Sequence, residues 1–146
     1  MTTRFLMNET EPGAYAAMLG LEKYLATTGI APLHHELIRI RASQINGCAF
    51  CVNKHSIDAL NSGETTQRLL LLPVWRESPQ FTEEERIILA MTEEITLISE
   101  KGLTDETYEK ALATFGLNGT AQLIMAVNII NAWDRIGITT RRIPGQ

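Results

Sequence analysis

Residues that typically begin or end helices divide the chain into segments, and this division limits the possible folds more than any other feature. Within the segments, apolar residues recur every three or four positions, as on the buried face of a helix. Pro12 and Pro32 suit first helical turns, whereas Gly29, Gly47 and Gly63 suit the position after a last turn. No strong strand pattern is present. We therefore predict an all-α bundle of about six to seven helices.

The same signals predict where each helix lies. We expect helices over residues 10–29, 32–46, 48–62, 65–72, 82–102, 104–116 and 118–138. Thr10 and Asn118 are the expected caps of the first and last of these helices, and Thr82 with Glu85 forms a capping box. Residues 1–10 are expected to be a loose arm or edge segment, residues 74–80 a connector and residues 139–146 a basic tail.

Length, charge and hydropathy narrow the class of protein. A chain of 146 residues with 45% hydrophobic residues suits one domain, 1–146. A net charge of -4 disfavours nucleic acid as a partner. No apolar run approaches the roughly 20 residues of a membrane span, and the N-terminus lacks the apolar region of a signal peptide. We expect a soluble cytoplasmic protein with no membrane partner.

Both cysteines of the chain, Cys48 and Cys51, lie within the stretch 46–55 and are separated by two residues. In a reducing cytosol, a cysteine pair is rarely a structural cross-link. A disulfide between them would also close a very small loop and remove little chain entropy. The pair therefore indicates redox or metal-binding chemistry, with two small buried hydrophobic residues as the plain structural alternative.

The position of the cysteines favours a reactive thiolate. Cys48, Cys51 and His55 have the spacing i, i+3, i+7, so they share one stripe of a helix. The helix starts directly after Asn46-Gly47, where unpaired backbone N–H groups and the helix dipole stabilise a negative charge. The helix start and the imidazole are thus two separate effects that lower a thiol pKa.

Glu36 is the predicted partner of His55. If Asn46-Gly47 reverses the chain, Glu36 lies roughly 15 Å back along one helix and His55 roughly 12 Å out along the next, so they reach similar heights. A carboxylate beside an imidazole raises its basicity and fixes its orientation. Such a carboxylate–imidazole–thiol relay suits peroxide reduction, in which a thiolate forms a sulfenic acid and a second thiol closes a disulfide.

Alternatives remain for these residues. Cys48, Cys51, His55 and Glu36 also have the ligand types of a zinc site. Glu36 alone could be a solvated helix charge, and His55 a core or surface histidine. The other histidines and large aromatic residues are interpreted as structural, namely His34, His35, Trp75, Phe81 and Trp133.

Over roughly residues 30–100, the chain resembles the alkylhydroperoxidase AhpD-like branch of the carboxymuconolactone decarboxylase family. The matching features are Glu36, the run Cys48-Ala49-Phe50-Cys51-Val52-Asn53-Lys54-His55, and Trp75, Glu77, Phe81, Thr82, Glu85 and Arg86. The resemblance implies an all-helical fold, homo-oligomers (dimers, trimers or hexamers) and thiol-dependent peroxidase chemistry. It also implies catalytic roles for Glu36, Cys48, Cys51 and His55.

One position departs from the family pattern. The peroxidase members carry a second histidine directly before the later cysteine, where this chain has Phe50. The change removes a possible proton carrier and makes the pocket more apolar. The decarboxylase branch lacks the CxxC pair, which disfavours decarboxylation of a lactone.

These observations predict an antioxidant peroxidase. We expect Cys51 to attack a hydroperoxide, Cys48 to resolve the sulfenic acid, His55 to act as base and Glu36 to orient it; the roles of the two cysteines could be reversed. No bound cofactor is expected, but a lipoyl group, a thioredoxin-like protein or a small thiol must act as reductant. A non-enzymatic redox-sensing or disulfide-exchange module is the alternative.

Overall fold

The computed structural model describes residues 1–145 and contains helices and no strand in that part of the chain. Seven α-helices and one 3₁₀ helix follow in order. They are α1 (Met7–Thr10), α2 (Pro12–Leu25), α3 (Pro32–Asn46), α4 (Ala49–Asn61), α5 (Thr66–Leu71), the 3₁₀ helix Leu72–Glu77, α6 (Glu83–Thr96) and α7 (Asp105–Thr140). The predicted all-α fold is therefore confirmed.

Helix α3 lies at the centre of the bundle and packs against α4, α6 and α7. One apolar cluster joins α3, α6 and α7 and includes Ile38, Met91 and Val127. A second joins α3, α6 and the 3₁₀ helix and includes Leu37 and Trp75. Burying one such side chain contributes about 1.5–3 kcal/mol, so the two sides of α3 fix its position and that of the turn that follows it.

Several helices begin with capping hydrogen bonds to threonine side chains. Thr82 accepts from the backbone N–H of Glu85, and the Glu85 carboxylate accepts from the N–H of Thr82, which completes the capping box. Thr65 caps α5 through the N–H of Arg68. Pro73 does not stop the chain from turning helically, because a proline fits the first turn of the 3₁₀ helix.

Other predicted boundaries are wrong. Helix α6 ends at Thr96 rather than at residue 102. The chain turns there because the carboxylate of Glu94 accepts hydrogen bonds from the backbone N–H of Thr104 (2.8 Å) and the hydroxyl of Thr107 (2.6 Å). Glu94 thereby ties the end of α6 to the start of α7.

Two predicted caps are also wrong. Thr10 is the last residue of α1, and Glu11 occupies the cap position of α2. The predicted helix boundary at residue 116 is confirmed, because Gly116 breaks α7 with a φ of 67° and a ψ of 177°, outside the helical range. The helix resumes directly after Gly116, so Asn118 lies inside the second segment rather than at its cap. That segment reaches Thr140, inside the predicted tail.

Helix α7 is long and apolar enough to cross a membrane by length and composition. This is weak support for a membrane span, because the core helix of a soluble protein meets the same criterion. Leu123, Val127 and Ile130 of α7 are buried in the cluster with α3 and α6. Polar residues interrupt the apolar ones along α7, so a search for an uninterrupted apolar run does not detect it.

Candidate active site

The turn between α3 and α4 places both cysteines at a helix start, as predicted. Gly47 ends α3 with a φ of 74°, a left-handed conformation that glycine adopts at low cost. Cys48 is the cap of α4, and its Sγ accepts from the backbone N–H of Cys51 at 3.4 Å. Cys48 and Cys51 are joined by a disulfide and are 2% and 4% exposed. The described state is thus the oxidised end of a dithiol pair.

Glu36 and His55 meet across the hairpin. The Nδ1 atom of His55 lies 2.9 Å from Oε2 of Glu36, which confirms the predicted contact between α3 and α4. An ionised carboxylate only accepts hydrogen bonds, so Nδ1 carries the hydrogen of this contact, and Nε2 is the acceptor nitrogen whenever the imidazole is neutral. Glu36 is 8% exposed and is therefore not a solvated helix charge.

A chain of charged groups extends this contact to α2 and α7. Arg39 donates to Oε1 of Glu36 and to Oε2 of Glu22, both at 2.7 Å. The other oxygen of Glu22 accepts from the indole Nε1 of Trp133 at 2.9 Å. Burial by itself would raise the pKa of Glu36, but the hydrogen bond with His55 and the charge of Arg39 outweigh it and lower that pKa below its ordinary value. Glu36 is therefore held as a carboxylate.

A cavity of about 280 Å³ opens onto this arrangement. Cys51 and His55 both line it, whereas Cys48 is not part of its wall. Most of the remaining wall is apolar or aromatic and includes Phe5, Leu6, Met7, Tyr15, Leu19, Phe50, Trp133 and Ile136. Phe50 thus makes the pocket more apolar, as expected, and the guanidinium of Arg142 lies 4.3 Å over its ring.

The N-terminal arm is part of this cavity, which corrects its interpretation as a loose segment. Phe5, Leu6 and Met7 line the cavity. The arm is attached to the end of α7, because Arg4 donates from its backbone to Thr140 O and from its guanidinium to Thr139 O, both at 2.9 Å.

Asp134 of α7 lies beside the disulfide and was missed by the sequence analysis. It is 0% exposed, and its carboxylate accepts from the hydroxyl of Ser43 (2.7 Å) and the amide of Asn46 (2.8 Å). A carboxylate oxygen and the two cysteine sulfurs all lie within 4.8 Å of one another. Burial raises the pKa of Asp134, against the opposing effect of these hydrogen bonds. The feature of the sequence that could have identified Asp134 is an acidic residue within a largely apolar helix.

Gly137, one turn further along α7, packs directly against the disulfide. A Cβ atom at this position would lie 3.2 Å from Sγ of Cys48 and 3.7 Å from Sγ of Cys51. A side chain at position 137 would therefore require the sulfurs or α7 to shift by a few tenths of an ångström.

The zinc alternative required Cys48, Cys51, His55 and Glu36 to converge. Instead, the possible ligand atoms form two separate groups, Cys48 with Cys51 and Asp134, and Glu36 with His55 and Asp58. Both sulfurs are also held in the disulfide.

The residues interpreted as structural mostly have that role. His34 and His35 do not line the cavity, and His35 packs near Thr28, where burial lowers its pKa. Trp75 and Phe81 are core residues. Trp133 differs, because it lines the cavity and bonds to Glu22.

A larger groove of about 860 Å³ lies between α6 and the first half of α7. Charged side chains such as Glu93, Glu94 and Lys101 form much of its wall. It contains no cysteine or histidine, so the smaller cavity at Cys51 is the candidate active site.

Comparison with known proteins identifies the family of the chain. The family model of the carboxymuconolactone decarboxylase family matches residues 12–94, which include Glu36, both cysteines and His55. The chain belongs to this family. It is also 38% identical over 138 residues to the uncharacterized protein YdfG of Bacillus subtilis (strain 168), with 94% of each chain covered.

Solved structures of other proteins share the fold. A protein of unknown function from Agrobacterium tumefaciens, described as a putative antioxidant defence protein AhpD, is 36% identical with a TM-score of 0.95 over 99% of both chains. The debrominase Bmp8 has a TM-score of 0.82 at 18% identity, covering 93% of this chain and 73% of its own, which shows the fold alone. Family members are enzymes of oxidoreductase or decarboxylase type, and the CxxC pair fits an antioxidant role.

Proposed function

We propose that the protein is a thiol-dependent reductase of organic hydroperoxides that cycles between the dithiol and the disulfide of Cys48 and Cys51. One observation carries the proposal: Cys51 and His55 line the same apolar cavity, and Glu36 holds the imidazole through its Nδ1 atom. The similarity to a putative antioxidant defence protein supports the same chemistry.

The first step oxidises Cys51. His55 Nε2 takes the proton of the Cys51 thiol, and the thiolate attacks the terminal oxygen of the hydroperoxide. The O–O bond breaks, an S–O bond forms, and the alkoxide leaves with the proton from the imidazolium. The products are an alcohol and Cys51 sulfenic acid. Glu36 stabilises the imidazolium that forms between the two proton transfers.

The second step closes the disulfide. The Cys48 thiolate attacks the sulfur of the Cys51 sulfenic acid, an S–S bond forms, the S–O bond breaks, and hydroxide leaves as water after protonation. A dithiol reductant, such as a lipoyl group or a thioredoxin-like protein, then attacks Cys51, because this sulfur lines the cavity. Reduction returns two thiols and leaves the reductant as a disulfide.

The cavity favours a compact apolar substrate. Its volume of about 280 Å³ is just below the range of about 300–1,000 Å³ that holds drug-sized ligands. Aromatic side chains such as Tyr15, Phe50 and Trp133 offer an aryl or short alkyl group good contact. We therefore expect a hydroperoxide with such a group to react faster than hydrogen peroxide.

Stopped-flow measurements of the reduced protein test the proposal, with cumene hydroperoxide and hydrogen peroxide as substrates. Cys51→Ser should abolish hydroperoxide consumption. Cys48→Ser should consume one equivalent and accumulate a sulfenic acid that dimedone traps. His55→Gln should slow the first step on the order of 10²-fold. His34→Gln is the matched control and should react like the wild type, because His34 is outside the cavity.

If the wild type reacts no faster than a free thiol, the reductase is excluded. Reversible disulfide formation without fast peroxide reduction would instead support the redox-sensing or disulfide-exchange module.

A homo-oligomer also remains part of the proposal. Large apolar side chains are exposed on the single chain, including Ile57 (50%), Leu70 (74%) and Leu117 (69%). Such side chains are candidates for burial between subunits. Sedimentation velocity of the purified protein measures the assembly directly, and a monomer at every concentration would reject it.

A further inference from the structure

The two sulfurs of the disulfide face different surroundings. Cys51 lines the cavity with His55, whereas Cys48 is absent from the cavity wall and is 2% exposed. Water therefore has little access to Cys48, although its thiol must lose a proton when the disulfide forms and regain one when the disulfide is reduced. The proposed function leaves the source of that proton unassigned.

Asp134 is the ionisable group placed to supply it. Its carboxylate lies within 4.8 Å of both sulfurs and is held there by Ser43 and Asn46. Within residues 1–145, no lysine or arginine forms an ion pair with it. A buried carboxylate without a cationic partner is costly, and both of these hydrogen bonds come from neutral donors. Burial without a cationic partner favours the protonated form of the acid.

We propose that Asp134 is the acid–base residue of Cys48: its carboxylate takes the Cys48 proton during disulfide formation and its carboxyl returns it during reduction. This role rests on the dithiol cycle proposed above. During reduction, an external dithiol attacks Sγ of Cys51, the S–S bond breaks, and the electron pair leaves with Sγ of Cys48. That sulfur takes the proton of the Asp134 carboxyl, and the carboxylate is later reprotonated from solvent.

The groups facing Asp134 determine how its state varies with pH. Ser43 and Asn46 of α3 are neutral hydrogen-bond donors. His55 of α4 and Arg135 of α7 favour the ionised form through their charges, but burial is the largest influence and raises the pKa above the ordinary value for Asp. The protonated form that reduction requires is therefore populated at higher pH than for an exposed aspartate.

The test is the rate at which dithiothreitol reduces the disulfide of the intact protein between about pH 4.5 and 8. The fraction of reactive dithiothreitol thiolate is the same for every variant, so the ratio of the wild-type rate to the Asp134→Asn rate isolates Asp134. We expect a ratio of at least about 10 at the acidic end. The ratio should fall toward 1 as the pH rises through the pKa of Asp134.

A ratio near 1 at every pH would overturn the proposal, and so would a constant ratio above 1, which would indicate a packing role. Ser43→Ala keeps the carboxylate but removes one hydrogen bond to its charged form, so the acceleration that depends on the Asp134 carboxyl should persist to higher pH than in the wild type. If Asp134→Asn does not fold, this variant decides. A folded Ser43→Ala protein with the wild-type pH profile would refute the role.

Because this measurement uses only the disulfide and a small dithiol, it does not depend on the peroxide. A protein that fails to reduce hydroperoxides but shows the pH-dependent ratio would reject the proposed substrate and keep the role of Asp134. The opposite pair of results would keep the reductase and reject that role.

Discussion

Replacing Glu36 with glutamine should destabilise the folded protein, and the loss should disappear in acid. The Glu36 carboxylate accepts two hydrogen bonds, from His55 at 2.9 Å and from Arg39 at 2.7 Å. A glutamine offers one oxygen and one NH₂ group, so it can accept from only one of these donors and turns a donor toward the other. Glu36→Gln therefore removes a charge-assisted hydrogen bond and weakens its neighbour.

The size of the loss follows from this geometry. A hydrogen bond to a charged group contributes about 1.5–3 kcal/mol. Breaking a fully buried ion pair costs about 3–5 kcal/mol, but the side chains of Glu36, Arg39 and His55 keep 11%, 19% and 13% of their exposure. Solvent weakens the interaction accordingly. We expect the free energy of unfolding to fall by about 2 kcal/mol at pH 7.

The lowered pKa of Glu36 determines how this loss of stability varies with pH. The pKa of Glu36 is lowered in the folded protein from an unfolded value of 4.5. The carboxylate therefore contributes its full stability above the unfolded pKa and loses it as the pH falls through the folded one. The difference between wild type and Glu36→Gln should shrink as the pH falls below about 4.5.

Urea unfolding of the oxidised proteins at several pH values measures this difference, followed by circular dichroism. Glu109→Gln is the matched control, because Glu109 is exposed on α7, and it should change the free energy of unfolding by no more than about 0.5 kcal/mol. A Glu36→Gln protein as stable as the wild type at pH 7, or a loss that persists unchanged in acid, would refute the argument.

Two further substitutions test separate parts of the structure. Gly137→Ala should lower the melting temperature, because the added Cβ would lie 3.2 Å from Sγ of Cys48. Overpacking destabilises a folded protein by about 1–3 kcal/mol, which exceeds the gain of about 1 kcal/mol from the better helix propensity of alanine. A higher melting temperature would show that the disulfide shifts at little cost. Thr82→Ala should lower the free energy of unfolding, measured with urea, by about 1 kcal/mol, because it removes the cap of α6. An unchanged free energy of unfolding would mean that the capping box does not stabilise the protein.

The parts of the site predictable from the sequence are those set by short-range geometry. The turn at Asn46-Gly47 and the helix start at Cys48 follow from local residue preferences. The Glu36–His55 contact follows from counting residues on either side of that turn. Each of these inferences needed only one hairpin and the rise of a helix.

The parts not predicted depend on packing between distant segments. Asp134 and Gly137 reach the disulfide only because α7 packs against α3 and α4, and no local pattern specifies that approach. The end of α6 was placed too late for a similar reason. Apolar periodicity continues past Thr96, whereas a tertiary hydrogen bond of Glu94 decides where the chain turns.

The cavity wall is built from residues inside and outside the stretch that matches the family. The stretch that matches the family, residues 12–94, carries both cysteines, Glu36 and His55. Trp133, Ile136 and Arg142 lie beyond that stretch, and Phe5 lies before it, yet all four line the cavity. The cysteines, Glu36 and His55 thus lie in one part of the chain, whereas much of the cavity wall comes from its two ends. If the cavity binds the substrate, mutation of Phe5, Trp133, Ile136 or Arg142 should change substrate preference while the two cysteines, Glu36 and His55 stay in place.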